Sequence, residues 1–219
     1  MARTITVNGI SRLSVKPDTI SIFLTLNNID ADYENAISAS AKSLNSIKKR
    51  VEEVGFNSTD VKTINFNVRT EYETEYFEGN RRKNVFKGYN CCHSLKLEFP
   101  IDTERLAKTI ASIARADADP ELSIAFTVGD SDKIKDELLS NAAENARKKA
   151  VILCSASGAK LGELVSIKYD CGDLNLISGT SYNMDRNCLR AAKMDCTPIN
   201  VNPEDIELKD NALFEWEII

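Results

Sequence analysis

The stretch from Asp130 to Tyr169 constrains the fold most, because a long amphipathic helix there runs straight into a strand. Ile134, Leu138, Ala142, Ala146, Ala150, Leu153 and Ser157 recur every three or four residues, with Ala143 and Cys154 beside them. Asp130, Ser131 and Asp132 are candidate caps for the orphan N–H groups of the first turn. Gly158 stands where a left-handed residue ends a helix cheaply. Lys133 with Glu137, and Glu144 with Lys148, lie one turn apart on the exposed side, each pair worth about 0.2–0.5 kcal/mol. A face made of alanines brings a helix close to its neighbour. The helix is therefore expected to pack directly on a sheet rather than to line a cofactor groove.

The other elements follow from hydrophobic period. Ile5, Val7, Leu13 and Val15 share one parity, with Gly9 read as a bulge or bend. After Pro17 and Asp18, the alternating residues Ile20, Ile22, Leu24 and Leu26 give a second strand, expected to form a hairpin with the first. A helix is predicted from Asp32 to Val54 with the stripe Ile37, Ala41, Leu44, Ile47, Val51 and Val54. From Val61 to Tyr72 the pattern puts Ile64, Phe66, Val68 and Tyr72 inward and Asn65, Asn67, Arg69 and Glu71 outward. Residues 72–90 read as a long hairpin whose return strand carries Leu95, Leu97 and Phe99. A helix capped by Asp102 carries Leu106, Ile110, Ile113 and Ala114, and a strand carries Ile124, Phe126 and Val128. Val165, Ile167 and Tyr169 follow the long helix, and Ile206, Leu208, Phe214, Trp216 and Ile218 close the chain. Residues 170–200 show no sustained period and read as a long polar loop.

The order β-β-α-β-β-α-β-α-β-β does not alternate strictly, so the class is α+β with mixed or antiparallel sheets and helices packed on one face. Two lobes are expected. Residues 1–92 form a ββαββ lobe with a protruding hairpin, and residues 93–219 form an α/β lobe of ferredoxin-like plait type carrying the 170–200 loop.

Function is bounded mainly by exclusion. A net charge of −5 disfavours a general nucleic-acid binder, which needs a basic footprint. The cluster Arg81, Arg82 and Lys83 reads as a solvated hairpin tip. No apolar run reaches the ~18 residues of a membrane span. The opening MARTITVNG lacks the apolar core of a signal peptide, which points to a cytoplasmic chain.

The six cysteines, Cys91, Cys92, Cys154, Cys171, Cys188 and Cys196, contain no CxxC pair, and His93 is the only histidine. That spacing is poor for structural zinc, and free thiols are expected. No GxSxG elbow accompanies His93 and Ser94, no acidic pair stands out, and no GxxxxGK or GxGxxG occurs. No catalytic, cofactor-binding or metal-ligating residue is assigned. The one enzyme reading retained is a thiol redox protein in which His93 lowers the pKa of Cys91 or Cys92. Tyr72, Tyr89 and Trp216 would serve a small-molecule cleft, but aromatics at strand spacing more often pack.

Several segments together resemble one family. ITVNGISRLSVKPDTISIFLTL (5–26) resembles the opening strands of the SIMPL-domain family, also called DUF541, and VKTINFNV (61–68) its third strand. Gly88 with Tyr89, ARKKA (146–150), SGAKLGELVSI (157–167) and TPINVNPEDIEL (197–208) fall in the family's order. The resemblance implies a two-lobed α+β fold, no established catalytic residues and no cofactor. It also implies ring-like homo-oligomers in some members and a link to oxidative-stress defence in others. Most bacterial relatives look exported and are poorer in cysteine. The expectation is a homo-oligomer built through the 72–90 hairpin or the 170–200 loop.

Overall fold

The computed structural model describes residues 3–77, 81–170, 172, 174–191 and 201–219. The elements run β1 (Thr4–Val15), β2 (Thr19–Asp30), α1 (Tyr33–Glu52), β3 (Lys62–Phe77), β4 (Arg81–Pro100), α2 (Thr103–Ala114), β5 (Glu121–Thr127), α3 (Ser131–Ala156), β6 (Leu161–Lys168), β7 (Ile177–Met184), α4 (Arg186–Ala191) and β8 (Ile206–Ile218). They form an α+β protein with two sheets, ordered β1-β8-β6 and β3-β4-β2-β5-β7. The chain divides into two units. One comprises Met1–Pro17, Thr127–Gly179 and Pro203–Ile219, and the other Asp18–Phe126 and Thr180–Asn202.

In the first unit β8 is the central strand. It pairs antiparallel with β1 without interruption, from Thr4 opposite Glu217 to Val15 opposite Ile206. Period two then puts Ile206, Leu208, Asp210, Ala212, Phe214 and Trp216 in one buried column, with α3 packed against it. From α3 come Ile134, Leu138, Ala142, Ala146, Ala150 and Cys154, all buried. The reason for the alanine ladder lies across the interface. A Cβ on Gly9 would stand 2.1 Å from the Ala142 carbonyl oxygen and 2.8 Å from Ala146 Cβ. Gly9 is therefore no bulge: it sits in regular pairing opposite Ala212, and helix and sheet backbones touch there. Asp130 caps α3 by accepting from the Lys133 amide at 3.1 Å, and Gly158 (φ 73°) ends it. At the C-terminal end Cys154, not Leu153, faces the core; Leu153 is exposed.

The second unit has the connectivity β2-α1-β3-β4-α2-β5 with strand order β3-β4-β2-β5. That is the split βαβ arrangement of a ferredoxin-like plait, to which β7 adds beyond β5. Ile20 pairs with Phe99, Ile22 with Leu97 and Leu24 with Leu95, and all six are buried. Leu122, Ile124 and Phe126 extend this layer, and Ile47, Val51, Leu106, Ile110 and Ile113 of the two helices close it. Each such side chain contributes about 1.5–3 kcal/mol on burial. Asp32 and Asp102 cap α1 and α2 with carboxylate oxygens on first-turn amides.

Several expectations are corrected by these pairings. β1 and β2 form no hairpin, because β1 joins β8 while β2 joins β4. The expected lobe boundary at 92/93 falls inside β4, one continuous strand, and the plait is made by residues 18–126 rather than by 93–219. The buried face of α1 is Ala36, Ser40, Ser43, Ile47 and Val51. Ile37 is half-buried and Ala41 exposed, since small residues let the helix approach the sheet. In β3, Ile64 (54% exposed), Phe66 and Tyr72 (57%) are not inward, because β3 is the sheet edge and α1 covers β2 and β4. The supposed 170–200 loop contains β7 and α4; its residues 171, 173 and 192–200 lie outside the described part.

Candidate functional site

The 72–90 hairpin expected from the sequence is a two-stranded ribbon at the end of the five-stranded sheet. β2 stays paired with β4 only up to Asp30 opposite Tyr89. β3 and β4 continue together past that point, to Phe77 opposite Arg81. Gly88 makes the departure feasible. Its φ is +146°, a side chain there would stand 2.4 Å from the Asp30 carbonyl oxygen, and the register shifts between Glu71 and Tyr72 beside it.

Beyond Gly88 both backbone edges of the ribbon lack a neighbouring strand among the described residues. Unpaired edges of this kind template further strand pairing. Their charges differ. β3 carries Glu71, Glu73 and Glu75 on one face, while β4 carries Lys83 opposite Glu75 and Lys87 with Nζ 3.4 Å from Glu73 Oε2. An acidic column thus lies along one edge and a basic column along the other.

The opposite face of the ribbon is aromatic. Tyr72 and Phe86 face each other across the ladder with ring centroids 5.7 Å apart. Phe86 lies 5.4 Å from Tyr89, and Tyr89 lies 5.6 Å from Tyr33 at the start of α1, all edge-to-face. Tyr33, Tyr72 and Phe86 remain more than two-fifths exposed. An exposed, contiguous aromatic row of this sort is a candidate contact surface. Tyr33 carries no strand signal, which is why the row was not legible from sequence.

The thiol constellation does not form as its redox reading requires. Cys91 is fully buried and Cys92 half-buried, on opposite faces of β4. His93 is buried, with Nε2 2.8 Å from Thr63 Oγ1 and its ring edge-on to Phe66 at 5.0 Å. Burial, and then the charge of Lys48, push its pKa down. A neutral imidazole stabilises no thiolate. Cys188 is exposed, and the Asp185 carboxylate beside it pushes its thiol up. Cys154 is buried on α3, and Cys171 and Cys196 lie outside the described residues.

Of the remaining candidates, Tyr72 and Tyr89 lie on the ribbon, whereas Trp216 stacks on Phe214 in the three-stranded sheet of the other unit. Arg82 and Lys83 are exposed on β4, and the side chain of Arg81 is outside the described part. Among the described residues no group of three or more His, Cys, Asp or Glu side chains converges as metal ligands would. None of the described helices is long and apolar enough to cross a membrane.

The family model described as SIMPL, protein of unknown function (DUF541), matches residues 5–215, nearly the whole chain. No curated protein matches the chain. With the match running from β1 into β8, the chain belongs to the SIMPL (DUF541) family.

Proposed function

We propose that this chain is a non-enzymatic, self-assembling scaffold or binding module, and that the ribbon of β3 and β4 is its assembly element. The observation that carries this reading is the pair of free edges of opposite charge beyond Gly88. The β3 edge of one copy adds to the β4 edge of the next. Every strand of the extended sheet is then antiparallel to its neighbours, and each acidic column lies between basic ones. Two identical β3 edges would instead set glutamates against glutamates, which is unfavourable. The contact is therefore head-to-tail, so it closes into a ring or propagates as a filament. Repeating the ribbon also sets the aromatic rows of successive copies side by side on one face.

The cytoplasm is the proposed location. Its support is that all four cysteines assigned in the structure are free thiols, as a reducing compartment keeps them.

Two variants test the assembly mode by light scattering. Lys83→Glu with Lys87→Glu makes both edges acidic and is expected to lower the native mass toward a single chain. Adding Glu73→Lys and Glu75→Lys restores opposite edges and is expected to restore the mass. Masses that ignore both changes would refute the edge contact.

A further inference from the structure

The three-stranded sheet carries an apolar trough whose origin is a defect in β6. That strand pairs with β8 through two register shifts, between Leu161 and Leu164 and between Leu164 and Ser166. As a result Leu164 and Ile167, three residues apart instead of two, lie opposite Trp216 and Phe214 on the same face. α3 packs across β1 and β8 and leaves β6 almost uncovered. Leu164 and Ile167 therefore stay about half exposed, at 48% and 54%, and so does Val151 on the facing side of α3, at 46%.

The space between them is a cavity of about 540 Å³ floored by Phe214 and Trp216. A second, shallow hollow of about 440 Å³ lies beside Ile152 and shares Arg147 and Val151 with the first. Volumes in this range suit a small organic ligand, on the scale of roughly 300–1,000 Å³. Arg147 is the one cation that lines both hollows. The neighbouring Glu144 is taken by Lys148 at 3.4 Å, and among the described residues Arg147 has no ion pair.

We propose that this trough binds a single-chain amphiphile, an alkyl chain with one anionic head, carboxylate or phosphate, held by Arg147. The chain lies along Leu164, Ile167 and Val151 over the Phe214–Trp216 floor. The guanidinium matches either head with two parallel N–H donors. An added peptide strand fits less well, because the two shifts in β6 interrupt the regular backbone ladder that strand addition needs.

Trp216 is the only tryptophan in the chain, so the trough reports on itself. The full-length protein is titrated with laurate, or with dodecyl phosphate, below micelle formation. Tryptophan fluorescence, far-ultraviolet circular dichroism and native mass are recorded. The expected result is a saturable change at one equivalent, with helix content and mass unchanged. Arg147→Gln, and dodecanol in place of the anions, should each bind at least about tenfold more weakly, since either change removes the charge-assisted contact between guanidinium and head. Leu164→Asp should abolish binding. No saturable change with either anion overturns the proposal. So does equal binding of dodecanol, or full affinity in Arg147→Gln. A native mass that falls as laurate binds would show a second copy covering the trough and would overturn it too.

Discussion

A single added methyl at Gly9 would meet backbone, the Ala142 carbonyl oxygen at 2.1 Å, and backbone cannot swing aside as a side-chain tip can. Gly9→Ala should therefore destabilise the chain by about 1–3 kcal/mol, the usual cost of overpacking. Gly172→Ala, where nothing lies within 4 Å, should cost far less in the same denaturant titration. His93 makes a second prediction. Its folded pKa lies below the ordinary 6.5, so the unfolded chain takes up the proton first as pH falls. Its contribution is complete above pH 6.5 and is lost as pH drops through the interval between the unfolded and folded values. Denaturant midpoints measured from pH 7.5 downward should fall less steeply in His93→Gln than in the parent; identical slopes would refute the neutral, buried state. At this scale the sequence reading was weakest. Gly9 looked like a bend because its partner, α3, is more than a hundred residues away in sequence. Asp210 carries no apolar signal, yet unbroken period two puts it in the buried column between Leu208 and Ala212, with its carboxylate accepting from Tyr169 Oη at 3.0 Å.

Elements were more legible, because period and caps are local. Alternation in β2, β4, β5 and β8 placed most of the right residues inside, although Val128 falls past the end of β5 and Ile218 is only half-buried, and Asp102 marked the start of α2 as expected. What local pattern cannot supply is the neighbour. β3 alternates as cleanly as any strand, but it is an edge beyond the reach of α1, so its apolar parity faces solvent. β7 escaped notice because ISGTSYNM offers little period-two contrast; its place comes from joining the edge at β5. The ribbon depends on Gly88 for its departure from β2. Gly88→Ala forces a side chain into the Asp30 carbonyl at a positive φ, and hydrogen exchange should quicken in residues 71–77 and 82–87 while the strand from 91 to 99 stays protected. Uniform exchange in the two segments would remove Gly88 from its role.

On the scale of the whole molecule, two units share one chain, which crosses between them after Pro17, before Thr127, after Gly179 and before Pro203. Sequence order hides such an arrangement, since β1 finds its partner β8 at the far end of the chain. The family match spans both units and names no activity, so the account of function rests on the ribbon. Native mass measured by light scattering at micromolar concentration, in low and high salt and with and without reductant, tests that account most directly. Oppositely charged edges predict a mass of several chains at low salt, indifferent to reductant. The mass should decline toward 1 M salt, where screening shortens to about 3 Å. A single-chain mass at low salt, or an assembly that disappears on reduction, would contradict it.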